Sequence, residues 1–331
     1  MEIINFTNEC KENKPIKKND YINHFKENKP IEGVLLVDFI DLYINKKSKR
    51  KTESFKNQYK TLSNHIKEFS KKYNAEIFTN SVTDDFLDDF IEYSENKNLK
   101  INTIKGLVDR IKNITKKAGT YGYAVDCSYD DVNMREEESF SIYLSMNDIS
   151  RIYYYNNLSK SQEKIKDLFI IGCLTALRYS DYSTLNVSNF QDNYIVKTTQ
   201  KSKTKVRIPM HDFVKEIIKK YDNNIPNGYC IQYFNKYIKM IMKKIGFNEE
   251  FTYTYTKGGE LITETKKKYE LISSHTARRS GATNMYLTGR MRTFEIMSLT
   301  GHTSEKNFFK YIKVTKENIA KSISGDVFFR K

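Results

Sequence analysis

The residues with the clearest chemical potential lie near the C-terminal end of the sequence. His275 and Arg278 are three positions apart, so on a helix they share one face. His302 follows a glycine, and Tyr311 lies nine residues further along. With Arg279, this stretch contains two guanidinium groups, two imidazoles and a phenol. That combination predicts a site that grips a phosphate group and attacks it.

The elements that must position these residues are mostly helices. From Thr276 onward the chain is predicted to be helical, and a strongly apolar helix is predicted over Ile165–Ala176. Two hairpins are predicted between these helices. The first has strands near 194–196 and 206–210 with a turn through Lys201–Thr204, and the second spans 251–270 with a turn at Gly258 and Gly259. Other helices are predicted to begin at a Ser145 cap and to cover 211–221 and 231–246.

Residues 33–120 have the pattern of four further helices. Apolar residues recur at steps of three and four, as in the series Phe55, Tyr59, Leu62, Ile66 and Phe69. The opposite faces carry many lysines. The fold class predicted from these patterns is mainly α with small β hairpins (α+β), with an N-terminal four-helix domain.

Composition shifts divide the chain into four predicted parts. Residues 1–30 are polar and rich in Lys and Asn, which is typical of a tail or of a short basic arm. The helical domain covers 31–120, and a linker with an acidic run covers 121–140. A second domain covers 141–331.

The net charge of +15 and the pI near 9.3 favour an anionic partner. Nucleic acid is the first candidate and an anionic membrane surface the second, while a solvated basic surface is the alternative. No apolar run reaches the roughly 18 residues of a membrane-spanning helix, and no secretory signal is evident, so a cytoplasmic location is expected. The four cysteines lack the spacing of a metal site or of a disulfide framework, so neither is expected.

Four short stretches together resemble the boxes of the tyrosine site-specific recombinases, the phage integrase family. They are Thr175–Asp181, Gln200–Pro209, Ser274–Arg279 and Leu299–Thr303 followed by Tyr311. Their order and intervals are similar to those of the family, and especially to integrases of conjugative or other mobile elements. The region 33–120 resembles the core-binding (SAM-like) domain of the family, and the remainder resembles its mixed α/β catalytic domain. Asp181 departs from the glutamate that is more common at that position.

The resemblance implies three roles at the phosphate. Arg178 and Arg278 would hold the non-bridging oxygens, for which guanidinium forks are well suited. Tyr311 would attack the phosphorus and form a link to the 3′ phosphate. A phenol has a pKa of about 10, so it needs a base and a nearby positive field.

The resemblance also implies which groups move protons. His275 would accept the phenol proton, and Lys201 on the first hairpin would protonate the leaving 5′ oxygen. Lys203 and Lys205 are the competing candidates for the acid. His302 would hydrogen-bond the phosphate or help to place Tyr311.

The expected partner is double-stranded DNA at specific recombination sites, held in a two-domain, C-shaped clamp. The resemblance implies a free monomer and a tetramer on two DNA sites, with accessory DNA-bending proteins as possible partners. Residues 315–329 would dock on a neighbouring protomer or pack on their own. No cofactor and no metal are expected, because the covalent link conserves the energy of the phosphodiester. Two alternatives remain: a type IB topoisomerase-like enzyme, and a non-catalytic DNA-binding accessory factor.

Overall fold

The computed structural model describes residues 33–47, 51–126, 129, 132–226 and 228–313. The chain divides into two compact units. The first contains the residues up to Glu138 together with Thr254–Ile262, and the second contains Ser139–Tyr253 and the residues from Thr263 onward. Within the described residues, no helix is both long and apolar enough to cross a membrane.

The described residues of the first unit form four α-helices, as the sequence predicts. They are α1 (Leu36–Lys47), α2 (Glu53–Tyr73), α3 (Asp84–Asn96) and α4 (Ile101–Gly119). Side-chain caps determine where two of them begin, because Thr52 accepts a hydrogen bond from the N–H of Phe55 and Thr83 from that of Phe86. One side of every helix faces a common core that includes Leu36, Leu62, Phe90 and Ile111.

The segment that follows α4 contributes to the same core. Tyr123 and Tyr129 are buried against it. The stretch Thr254–Ile262 also contacts this unit, because the N–H of Gly258 donates to the carbonyl of Leu99 at 2.9 Å.

The predicted domain boundaries, including a linker over 121–140, stay a prediction. Residues 1–30, predicted to be a tail or arm, lie outside the described residues.

The described helices of the second unit are α5 (Met146–Tyr154), α6 (Lys160–Thr175), α7 (Tyr179–Tyr182), α8 (Asp212–Lys220), α9 (Ile231–Ile245), α10 (Lys268–Leu271), α11 (Ser274–Leu287), α12 (Thr293–Thr300) and α13 (Glu305–Phe309). The unit is organised around the apolar helix α6. The sequence-predicted cap is present: Ser145 and Asp148 form a capping box at the start of α5. Helix α6 ends at Ala176, whose φ of +53° turns the chain out of the helix.

Both predicted hairpins are present. The first forms a sheet of order β1-β2-β3 from Phe190–Gln191, Tyr194–Thr198 and Lys205–Pro209, with Ile195 opposite Ile208. In β3 the apolar Val206 and Ile208 are buried and alternate with exposed residues, which is typical of a half-buried antiparallel sheet. The second is the pair β4 (Glu250–Lys257) and β5 (Glu260–Lys267). The sequence did not predict β1 or α7, because elements of two and four residues are too short to show a period.

Helix α11 packs closely on the C-terminal end of α6. A Cβ at Gly281 would lie 2.5 Å from the carbonyl oxygen of Cys173 and 2.8 Å from the Cβ of Ala176, so only glycine permits this approach. Cys173 is buried there, as the sequence predicts for a core residue. The contact brings Arg278, one turn earlier on α11, to the loop that follows α6.

Candidate active site

Arg278 is fully buried on α11. Its Nη1 donates to the carbonyls of Ala176 at 2.7 Å and Thr300 at 2.9 Å, and its Nη2 donates to Nε2 of His302 at 2.8 Å. Burial, followed by the charge of Arg178, lowers the pKa of Arg278 to about 10. The guanidinium therefore stays charged at neutral pH. It is held in one orientation by groups from two loops.

His302 is neutral, and its tautomer follows from its hydrogen bonds. Nη2 of Arg278 can only donate, and it lies 2.8 Å from Nε2 of His302 and 3.3 Å from Nδ1, so the shorter contact assigns Nε2 as the unprotonated nitrogen. The proton is then on Nδ1, which lies 2.6 Å from the hydroxyl of Thr300. That hydroxyl in turn donates a hydrogen bond to the carbonyl of Ile296 at 2.8 Å. Burial and then the charges of Arg278 and Arg178 lower the pKa of His302 to about 3.

Arg178 lies at the start of α7, directly after the turn that ends α6. Its Nη1 is buried and has no hydrogen-bond partner among the described residues. A buried donor without an acceptor costs about 1–3 kcal/mol, and an anionic oxygen is the group that satisfies a guanidinium best. Three residues later, Asp181 is fully buried and accepts from the N–H of Gln200 at 2.7 Å. Asp181 therefore connects the arginine turn to the first hairpin.

Tyr311 lies just beyond α13 and faces the same cluster. Its N–H donates to the carbonyl of Phe308 at 2.8 Å, and its own carbonyl accepts from the hydroxyl of Thr283 on α11 at 3.2 Å. The centroid of its ring is 5.1 Å from that of His302 and 5.3 Å from Cζ of Arg278. The phenol is thus placed beside the buried guanidinium of its own chain.

His275 occupies the first turn of α11 and is exposed to solvent. Partial burial of its ring and then the positive charges of Arg279, Arg278, Arg178 and Lys201 lower the pKa of His275 below its usual range. The imidazole is therefore neutral at pH 7 and able to accept a proton. Because the charge of Lys201 contributes to this lowering of the pKa, Lys201 lies within electrostatic range of His275.

Lys201 is exposed in the turn between β2 and β3. Lys203 in the same turn has a φ of +54°, and Lys205 begins β3 opposite Thr198. Arg279, which follows Arg278, points elsewhere, because its Nη1 donates to the carbonyl of Ile142 at 3.1 Å. All six candidate residues from the sequence belong to the second unit.

Models of two protein families match the chain. The phage integrase SAM-like domain matches residues 35–134, and the phage integrase family matches residues 143–318, which is more than half of the chain. This chain belongs to the phage integrase family. It is therefore an enzyme of the tyrosine recombinase class, as its four boxes predict. A search of curated proteins gives no match.

Solved structures of other integrases have the same fold. A lambda integrase dimer bound to a COC′ core site aligns with a TM-score of 0.61 and 14% identity, over 92% of this chain and 83% of that one. The Tn1549 transposon integrase in complex with transposon right end DNA aligns with a TM-score of 0.65 and 13% identity, over 88% of this chain and 99% of that one. XerH recombinase bound to a palindromic difH substrate aligns with a TM-score of 0.63 and 13% identity, over 85% of this chain and 82% of that one. The predicted fold class, mainly helical with small antiparallel sheets, is thereby confirmed.

The structure of this integrase-family chain also brings in residues for which sequence reasoning proposed no role. Thr300 bonds both Arg278 and His302, Thr283 anchors the backbone of Tyr311, and Thr199 and Ser202 brace the first hairpin. Hydroxyl groups have no periodicity or spacing that marks them. The positions of Thr300 and Ser202 inside two of the four boxes were the signal that the sequence offered.

Proposed function

We propose that this chain is a site-specific DNA recombinase that cuts and rejoins strands through a 3′-phosphotyrosyl intermediate. The observation that carries the proposal is the placement of Tyr311 beside the buried Arg278 and the neutral His302. A phenol next to a fixed guanidinium can attack a phosphate that the same guanidinium holds. The biological outcome that we propose is integration, excision or inversion of mobile DNA.

The proposed cleavage step is a substitution at phosphorus. Arg178 and Arg278 donate to the non-bridging oxygens, where negative charge accumulates in the transition state. The oxygen of Tyr311 forms a bond to phosphorus while the bond to the 5′ oxygen breaks. Rejoining is the reverse reaction, in which a 5′ hydroxyl from the partner strand displaces Tyr311.

Two proton transfers accompany this substitution. His275 accepts the proton of the Tyr311 phenol, a role supported by its lowered pKa and its solvent-facing position. Lys201 gives a proton to the leaving 5′ oxygen, since an alkoxide is a poor leaving group. His302 accepts from Arg278 and so keeps that guanidinium aimed at the phosphate. After the reverse step each group regains its starting proton.

Double-stranded DNA is the proposed partner, bound by several copies of the chain. The positive net charge of +15 supports a largely phosphate-driven, salt-dependent affinity. Related integrases of known structure include a lambda integrase dimer on a core site and a tetramer on a Holliday junction. By analogy we propose a monomer in solution and a tetramer at two DNA sites. A role for accessory DNA-bending proteins, and a cytoplasmic, nucleoid-associated location, stay predictions.

Covalent capture tests the proposal. The full chain is incubated with a pool of nicked duplexes of randomised sequence, and protein–DNA adducts are separated under denaturing conditions and sequenced. We expect adducts on a defined sequence family, with the DNA mapped to Tyr311 by peptide mass spectrometry. Tyr311→Phe should abolish the adduct because the nucleophilic oxygen is removed.

Tyr286→Phe is the matched control. Tyr286 is a partly buried tyrosine on α11 whose ring lies 6.3 Å from that of Phe309, and the variant should retain full adduct formation. An adduct that persists in Tyr311→Phe would rule out Tyr311 as the nucleophile and with it the proposed mechanism. Relaxation of arbitrary supercoiled DNA by a monomer would instead favour the topoisomerase-like alternative. Specific binding without any adduct would favour a non-catalytic DNA-binding factor.

A further inference from the structure

The turn that carries Lys201 is tied to the rest of its unit on both sides of the lysine. Before it, the N–H of Gln200 donates to the carboxylate of Asp181 at 2.7 Å, and the Gln200 side chain donates to the carbonyl of Ser180 at 2.8 Å. After it, the hydroxyl of Ser202 donates to the carbonyl of Gly301 at 3.2 Å. The peptide of Lys201 is therefore fixed between the arginine turn and the loop before His302.

Two hydroxyls form a hydrogen-bonded relay on the second side. The N–H of Thr204 donates to Oγ1 of Thr199 at 3.2 Å, and this oxygen lies 2.7 Å from Oγ of Ser202. The hydroxyl of Thr199 lies within hydrogen-bond distance of two acceptors, Oγ of Ser202 and the carbonyl of Thr204 at 3.2 Å. The relay joins Thr204, Thr199, Ser202 and Gly301, and hydrogen bonds in such a network strengthen one another.

The hairpin and the loop meet closely at Gly301. Its φ is +68°, and a Cβ at this position would lie 3.1 Å from Cγ2 of Thr199 and 3.4 Å from Cγ1 of Val206. A side chain as short as serine is enough to span the gap. Gly301 directly precedes His302, which accepts from Arg278. The relay thus joins the lysine turn to the loop that orients the buried arginine.

We infer that Ser202 and Thr199 are positioning residues that hold Lys201 in register with Arg278 and His302. This inference rests on the proposed function, in which Lys201 protonates the leaving 5′ oxygen. Neither hydroxyl touches the reacting atoms or transfers a proton to them. Their effect is to keep the ammonium within reach of the oxygen that departs, because a displaced acid loses most of its catalytic value.

A leaving group that needs no proton isolates this role. The duplex enriched by covalent capture is made in two forms, with an ordinary phosphodiester or with a 5′-bridging phosphorothiolate at the cleaved position. In the second form the P–S bond breaks, and sulfur departs as a thiolate, which is stable because a thiol has a pKa of about 8.5. Single-turnover adduct formation is measured with both substrates.

We expect Ser202→Ala and Thr199→Val to slow cleavage of the phosphodiester by about tenfold, and Lys201→Ala by about a hundredfold or more. On the phosphorothiolate all three should return to within about threefold of the unaltered chain. Ser202→Thr and Thr199→Ser keep the hydroxyls and should retain normal rates. Lys203→Ala, in the same turn, should also be normal and is the matched control.

The variants also need a check of their fold. Thr199→Val preserves the shape of a fully buried side chain, so its melting temperature should stay within about 4 °C of that of the unaltered chain. It therefore provides the test even if Ser202→Ala is unstable.

Three results would overturn the inference. Equal slowing of Ser202→Ala and Thr199→Val on both substrates, with Lys201→Ala rescued, would show that the hydroxyls act on something other than the acid. Full activity of both variants on the phosphodiester would show that the relay is dispensable. If Lys201→Ala itself is not rescued, Lys201 is not the acid; that outcome refutes part of the proposed function and this inference with it.

Discussion

The two halves of the candidate site differ in how they are held. Arg278 and His302 are buried and bonded to backbone carbonyls and to each other. His275 and Lys201, the groups proposed to move protons, are exposed at a helix end and in a turn. The half proposed to stabilise charge is therefore part of the core, whereas the half proposed to exchange protons faces solvent.

This difference follows from the chemistry of each task. Charge stabilisation is strongest when the donors are preorganised in a region that excludes water, so that no reorganisation accompanies the reaction. Proton transfer needs a group whose two protonation states are both accessible near neutral pH. Full burial would suppress the charged form of a histidine. Partial burial lowers the pKa of His275 but leaves the side chain in contact with solvent, and Lys201 is exposed.

Among the variants that compare the two halves, the largest effect should come from Arg278→Lys. A lysine keeps the charge but cannot bond two carbonyls and His302 at once. We expect cleavage to fall by about 10²–10³-fold and stability by about 1–3 kcal/mol. Adduct formation and thermal denaturation measure the two changes.

Arg151→Lys is the control for that variant. Arg151 also donates to a backbone carbonyl, that of Ile245 at 2.6 Å, but takes no part in the candidate site. The Arg151→Lys variant should be less stable but should cleave at the normal rate. Equal loss of rate in both variants would remove the distinction between the two halves.

An intermediate effect is expected for Thr300→Val. The change removes the hydroxyl that accepts from Nδ1 of His302 and leaves the shape of the side chain almost intact. Without this partner the tautomer of His302 is no longer fixed, and cleavage should fall by about tenfold. Long-range ¹H–¹⁵N NMR of the imidazole should show protonated Nδ1 in the unaltered chain and a mixture in the variant.

Two other threonine variants accompany it. Thr300→Ser retains the hydroxyl and should behave like the unaltered chain. Thr115→Val removes an equally buried hydroxyl, bonded to the carbonyl of Ile111 at 3.0 Å, from the first unit. It should leave both the NMR signals and the rate unchanged. A protonated Nε2 in the unaltered chain would contradict the proposed geometry.

The smallest effect concerns pH. His275 must be neutral to accept a proton, and burial together with four positive neighbours lowers its pKa below the ordinary 6.5. Cleavage should therefore be constant from about pH 8 to about pH 7 and fall only at more acidic pH, as His275 becomes protonated. His275→Ala should be slower throughout and should lack this acidic limb. A fall of the cleavage rate with its midpoint above pH 6.5 would contradict the assignment of His275 as the base.

Much of the fold could be predicted because it depends on local patterns. The four helices of the first unit follow from apolar residues at steps of three and four. The capping box formed by Ser145 and Asp148 marks a helix start, and Gly258 and Gly259 mark a hairpin turn. Elements as short as α7 and β1 escaped prediction because they span only about one period, which is too little for a pattern to repeat.

For the candidate site, the sequence by itself determined the residue types and one pairing. His275 and Arg278 lie on one helix, and the order of four boxes identified the family. The tertiary structure alone decided that Arg278 bonds Ala176, which is 102 residues away, and that Thr300 sets the tautomer of His302. Hydrogen bonds between distant loops depend on how helices pack, and packing leaves no regular spacing in the sequence. For the same reason, the two hydroxyls that brace Lys201 could be identified only from the packing of the hairpin against the Gly301 loop.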